Sequence, residues 1–161
     1  MNTEIMRNFL RESNKIEGIT RYNEQEQIAA AEKFLQLESV RMSDLLEFVF
    51  VIQPNAQLRN RVGLDVRVGA HIPPPGGPDI RDKLQAVLDI VNMRRGRRDD
   101  PSSSAAFENH KTYEDLHPFT DGNGRSGRML WLWEMVRTGY DGSLGFLHMW
   151  YYQSLNNNRK E

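Results

Sequence analysis

Cysteine is absent from this sequence. Without thiols there can be no disulfide and no thiolate metal site, and a reducing compartment suits the chain. No apolar run approaches the roughly 20 residues needed to cross a bilayer. The opening stretch, MNTEIMRNFLRES, is broken by a charge every few positions, unlike the apolar segment of a signal peptide. A cytoplasmic protein with no membrane association is therefore expected. Charge of one sign is lacking too. The 21 Lys and Arg residues against 22 Asp and Glu leave a net charge of -1, which speaks against nucleic acid or an anionic membrane as partner. There is no internal repeat. What is present is 161 residues with a 39% apolar fraction, enough for the core of a single domain over 1–161.

The apolar spacing predicts mostly helix. Ile5, Phe9 and Ile16 mark a first helix from about Thr3 to Glu17, stopped by Gly18. Asn23, with Glu26 three residues on, can cap a second helix running to about Glu38. Ser43 can cap a third, SDLLEFVFVI, ended by Pro54, although FVFVI alone also reads as a strand. QLRNRVGLDVRVGAHI then alternates β-branched residues between Gly63 and Gly69, which predicts a short hairpin over 57–72. Pro73, Pro74 and Pro75 lead out as a stiff connector. DIRDKLQAVLDIVNM is an amphipathic helix with Leu84, Val87, Leu88 and Val91 on one face. Arg94 to Ser104 reads as a polar linker. Its arginines could form a nucleic-acid patch, but Asp99 and Asp100 follow at once, so a solvated segment is the reading adopted. Helix resumes from about Ser104 to Leu116, breaks at Pro118, and restarts at Gly124 or Arg125 until just before Gly139. A last helix is expected over about Leu144 to Asn157. The class is all-α with one small hairpin.

The stretch that carries chemistry is His117-Pro118-Phe119-Thr120-Asp121-Gly122-Asn123-Gly124-Arg125-Ser126-Gly127-Arg128. A histidine closes one helix, a glycine-rich loop follows, and a new helix begins. Amides at a helix start are unpaired and carry partial positive charge, so they bind anions. Gly122 and Gly124 let the backbone come close to a phosphate. Arg125 and Arg128, three apart, can aim at the same polyphosphate. Asp121 could hold Mg²⁺ bridging phosphate oxygens, and His117 could take a proton from an incoming hydroxyl near neutral pH.

These residues match the Fic signature, H-x-F-x-D/E-G-N-G-R-x-x-R, at every specified position, and the chain resembles that family. ENHKTYEDLHPF is similar to the family's preceding helix, and RVGLDVRVGAHIPPP resembles its flap hairpin and proline-rich exit. The resemblance implies a Fic-type helical bundle with a short β-hairpin flap and a helix–loop–helix core over 104–137. It implies a protein adenylyltransferase that moves AMP from ATP to a Ser, Thr or Tyr hydroxyl of a target protein, or of itself. His117 would then be the general base and Asp121 the Mg²⁺ ligand. Gly122, Asn123 and Gly124 would form the anion hole, with Arg125 supporting the phosphates and Arg128 holding the γ-phosphate. Phe119 would be a core anchor. The aspartate and complete GNGR favour AMP transfer over the kinase-like branch, whose loop carries lysine in place of the second glycine. Leu64, Asp65, Val66 and Arg67 would belong to a flap that holds a target segment by strand addition, with Leu64 and Val66 also candidates to cover the nucleotide.

Ser13-Asn14-Lys15-Ile16-Glu17-Gly18 resembles the family's inhibitory motif, S/T-x-x-x-E-G/N. Ser13 and Glu17 are four apart and share a helix face. The resemblance implies that Glu17 pairs with Arg128 and denies it to the γ-phosphate, so that 1–18 forms an inhibitory helix ahead of the core. In some relatives the same glutamate positions water to remove AMP, so both brake and hydrolytic helper stay open, as does a silent nucleotide-binding module. His71, His110 and His148 read as structural or exposed. A zinc site through His110, His117 and Asp121 is weak without HExxH or cysteine. Trp131, Trp133 and Trp150 read as packing, and Tyr151 and Tyr152 either border the adenine or belong to a helical core.

Overall fold

The computed structural model describes residues 3–93 and 103–138. Among them lie α1 (Thr3–Ile16), α2 (Glu24–Leu35), α3 (Met42–Ile52), α4 (Asp79–Met93), α5 (Ser103–Leu116) and α6 (Asn123–Arg137). The expected helix over 144–157, with His148, Trp150, Tyr151 and Tyr152, lies outside the described residues, as do Arg94 to Arg98.

Met6, Phe9, Leu10 and Ser13 form the buried stripe of α1, so the apolar spacing that packs the helix also carries Ser13 inward. The helix closes through bonds from Gly18 N–H to Lys15 O (3.0 Å) and from Ile19 N–H to Asn14 O (2.9 Å). This double closure leaves Glu17 at the helix end. Asn14 Nδ2 donates to Gln27 Oε1 at 2.8 Å, tying α1 to α2. Asn23 caps α2 by accepting from Glu26 N–H, and α2 ends at Leu35, short of Glu38.

The ambiguous third segment is helix. Leu45, Phe48, Val49 and Ile52 are buried while Phe50 is 66% exposed. A strand would have put Phe48, Phe50 and Ile52 on one face. Ser43 is not its cap: the helix starts at Met42, and the Asp44 carboxylate accepts from Arg41 N–H instead.

The hairpin over 57–72 takes a reduced form. Val68 and His71 exchange backbone bonds of 3.0 and 2.9 Å around a tight turn. The stretch from Gln57 to Arg59 pairs elsewhere: Leu58 bridges Phe119, Arg59 N–H donates to Pro118 O, and Thr120 N–H donates to Gln57 O. The backbone groups that a longer hairpin would need are thus engaged by the loop after α5.

α6 lies at the centre, packed against α5, α1, α2 and α3. Every residue from Arg125 to Met135 is buried: the run from Met129 to Trp133 is apolar all round, and Arg125, Ser126, Arg128 and Glu134 are carried inside with it. Its first turn, carrying Arg125 and Arg128, is thereby held in the interior. No helix among the described residues is long and apolar enough to cross a membrane.

Candidate active site

The loop between α5 and α6 is locked by its own side chains. Asn123 grips the main chain of Phe119 twice, its Oδ1 accepting from Phe119 N–H and its Nδ2 donating to Phe119 O, both at 2.8 Å. Phe119 is fully buried, so the loop hangs from an apolar anchor. Tyr113 and Ser126 share a buried hydroxyl contact of 2.7 Å, and the Ser126 hydroxyl donates on to Gly122 O. The first backbone bond within α6 runs from Ser126 N–H to Gly122 O. The amides of Asn123, Gly124 and Arg125 therefore have no acceptor among the described residues, which is the chemistry of a helix start able to receive an anion. Asp121 is exposed, with Oδ1 accepting from Gly122 N–H at 2.6 Å.

His117 sits in the left-handed region, with φ 49°, a conformation that disfavours side chains by roughly 1–2 kcal/mol. Its hold is Arg59, a fully buried residue. The Arg59 guanidinium donates to the carbonyls of His117 (2.6 Å), Leu116 (2.9 Å), Pro74 (2.8 Å) and Leu64 (3.2 Å). One side chain thus fastens the turn at His117 to the segment after α3 and to the proline exit. Sequence reading missed Arg59, because nothing local separates it from the neighbouring exposed arginines. Arg59→Ala should lower unfolding free energy by on the order of 3 kcal/mol or more, since it leaves several buried carbonyls without a donor. Denaturant unfolding of the two chains measures this, and a loss below about 1 kcal/mol would contradict the role given to Arg59.

The His117 ring is half-buried, and burial pushes its pKa below the ordinary histidine value. Its Nδ1 lies 3.3 Å from Glu114 O. A carbonyl can only accept, so Nδ1 carries the hydrogen and Nε2 keeps a lone pair.

The two motif arginines have different partners. Arg125 donates to Ile52 O and Gln53 Oε1, both at 2.7 Å, clamping α6 to the end of α3. Arg128 donates from Nε to Ser13 Oγ (2.8 Å) and from Nη2 to Ser13 O (3.0 Å) and Glu17 Oε1 (2.6 Å). Ser13 and Glu17 meet Arg128, more than a hundred residues away in sequence, in one cluster. Glu17 Oε1 also lies 2.2 Å from where a Cβ on Gly124 would stand, so only glycine there admits the carboxylate.

A cavity of about 470 Å³ takes in Glu17 and Arg125, while Arg128 and Ser13 lie behind its wall. His117 and the segment from Asp121 to Arg125 form one wall, Glu17 and Ile19 a second, and Gln53, Arg67 and Val68 the remainder. Of the four expected flap residues, only Arg67 lines it. Asp65 accepts from Gly76 N–H at 2.8 Å, Leu64 supplies a carbonyl to Arg59, and Val66 is half-buried. Gln53, Ile19 and Val68 were not picked out from sequence, being ordinary residue types whose place follows from packing alone.

A family model described as Fic/DOC family matches residues 30–135, about two thirds of the chain and all of the loop, α5 and nearly all of α6. The chain belongs to the Fic/DOC family. Two proteins each named protein adenylyltransferase Fic are among its relatives. That of Drosophila willistoni is 37% identical over 75 residues, or 47% of this chain and 15% of the relative. That of Aedes aegypti is 26% identical over 132 residues, or 76% of this chain and 26% of the relative. The chain thus spans about a quarter or less of the length of these relatives. The Fic match begins beyond α1, so Ser13 and Glu17 join the Fic site from outside the matched region.

Proposed function

We propose that this Fic site transfers AMP from ATP to a Ser, Thr or Tyr hydroxyl of a protein, the chain itself included. The observation that carries the reading is that a histidine with a free Nε2 and the open amides at the start of α6 face one cavity. The adenylyltransferase names of the relatives support it.

Nε2 of His117 takes the proton as the acceptor oxygen bonds to the α-phosphorus, and the bond to the bridging oxygen breaks opposite it. Pyrophosphate leaves with that electron pair. The amides of Asn123, Gly124 and Arg125 stabilise charge building on the phosphate oxygens, and Arg128 holds the γ-phosphate once Glu17 has moved. The contribution is mainly positioning and fixed charge. Asp121, exposed and with Oδ2 unpartnered among the described residues, is the residue that would hold Mg²⁺. A single carboxylate suits a hard cation that keeps its waters and shares phosphate oxygens. When bound, the ion would neutralise phosphate charge.

Glu17 serves as a brake in this reading, and the chain falls in the Fic subgroup whose inhibitory helix precedes the core. The lack of cysteine suits a cytoplasmic setting. The test is mass spectrometry of the full chain carrying Glu17→Gly after incubation with ATP and Mg²⁺, with other nucleotides in parallel. A gain of one AMP on a hydroxyl residue is expected; transfer of a different group, or of none from any nucleotide, would refute the proposal. That Glu17 lines the cavity also supports a second reading, in which it orients water for the reverse removal of AMP. Loss of label from premodified chain on adding the wild type would reveal that activity.

A further inference from the structure

Beneath His117 lies an acidic side chain that the mechanism above does not use. Glu114 is one helical turn earlier on α5, and its Oε2 stands 4.0 Å from His117 Nδ1, the nitrogen directed at Glu114 O. Its Oε1 is buried without a hydrogen-bond partner and stands 4.0 Å from His110 Nε2. Gly127 of α6 leaves the space for it, since a Cβ there would fall 2.4 Å from Oε1.

We propose that Glu114 is the positioning residue of His117, its carboxylate stabilising the imidazolium formed when Nε2 takes the acceptor's proton. The inference rests on the reading of His117 as the base. A base that accepts a proton in a half-buried place gains a cation there, and a carboxylate behind the far nitrogen offsets that charge, the tautomer being already fixed by Glu114 O. Around His117, Arg59 and His71 oppose the imidazolium and Glu17 favours it, a contribution that Glu17→Gly removes. Around Glu114, His110 on the same helix is held down to about 4 by burial and is neutral near pH 7. Arg128, from α6, favours the ionised carboxylate, while Asp115 on α5 and Glu17 beyond α1 disfavour it. Burial dominates and pushes Glu114 up to about 7. Burial pushes His117 below the ordinary histidine value, so once Glu114 has gained its charge the carboxylate stands behind a neutral ring that is ready to take the acceptor's proton.

The test reads the histidine directly. The His117 ring is followed by NMR through a pH titration of the full chain, as wild type and as Glu114→Gln. In the wild type two inflections are expected, one from the ring and one from the neighbouring carboxyl. In the variant only the ring's own inflection is expected, because the carboxyl that titrates beside it is gone. In the Glu17→Gly background, Glu114→Gln should also slow self-labelling about tenfold, with ATP affinity unchanged and the acid limb of the rate moved to lower pH. A merely structural glutamate would lower the rate without moving that limb. A single inflection in the wild type, or superimposable His117 titrations in the two chains, would overturn the proposal. The wild-type curve decides the matter even if the variant does not fold. His117→Ala separates the two ideas: inactive His117→Ala with unchanged Glu114→Gln titration removes Glu114 alone, whereas active His117→Ala removes the base itself.

Discussion

Replacing Glu17 with glycine is expected to raise ATP-dependent self-labelling about 10- to 100-fold, the range that follows from releasing one charge-assisted hydrogen bond of about 1.5–3 kcal/mol. In the structure Arg128 is buried and its Nη2 is held by Glu17 Oε1 at 2.6 Å. A γ-phosphate must compete for that guanidinium. Glu17 is itself about a third exposed, with a side-chain accessibility of 37%, and it stands at the end of α1, so removing its side chain leaves the packed stripe of Met6, Phe9 and Leu10 untouched. Arg128 retains Ser13 as a partner, which keeps it oriented rather than orphaned. Initial rates of AMP incorporation measured on wild type and variant give the ratio. Equal rates would show that the contact does not restrain the site.

His117→Ala in that released background should lower AMP incorporation by at least about 100-fold, the usual lower bound for loss of a positioned general base. ATP affinity should change by less than about threefold. The phosphates in this reading are held by α6 amides and Arg128, none of which relies on the imidazole for its place. The turn should survive, because its anchorage is the His117 carbonyl received by Arg59, and alanine retains that carbonyl. Labelling rates and ATP titration of the same preparation separate chemistry from binding. Activity within tenfold of the parent would exclude His117 as the base.

Much of the fold is legible locally. Gly18, Asn23 and the spacing of Leu84, Val87, Leu88 and Val91 act within a few residues of themselves, and their helices lie close to where they are expected. The strand-like look of FVFVI misleads because β-branched and aromatic residues suit either element; burial of Phe48 and Val49 with Phe50 outside decides it. Alternation in QLRNRVGLDV points to a hairpin. Yet the backbone of Gln57 to Arg59 bonds to 118–120, a partner some sixty residues away that no local pattern announces. In the site, the twelve residues from His117 to Arg128 are readable because loop and helix start are contiguous in sequence.

What the order of amino acids determined by itself was the chemistry on offer: an imidazole, a glycine-rich helix start, two arginines and a carboxylate within one short run, and a Ser–Glu pair at helical spacing near the beginning. Only the tertiary structure decided how those groups are used. Burial of α6 places Arg128 against Ser13 and Glu17, Arg125 is engaged by the end of α3, and Arg59 holds His117 in a backbone conformation it would not adopt alone. The reason is physical. Propensity and capping act over a turn of helix, whereas a buried guanidinium takes its acceptors from whatever segments packing brings around it, and those segments are distant along the chain.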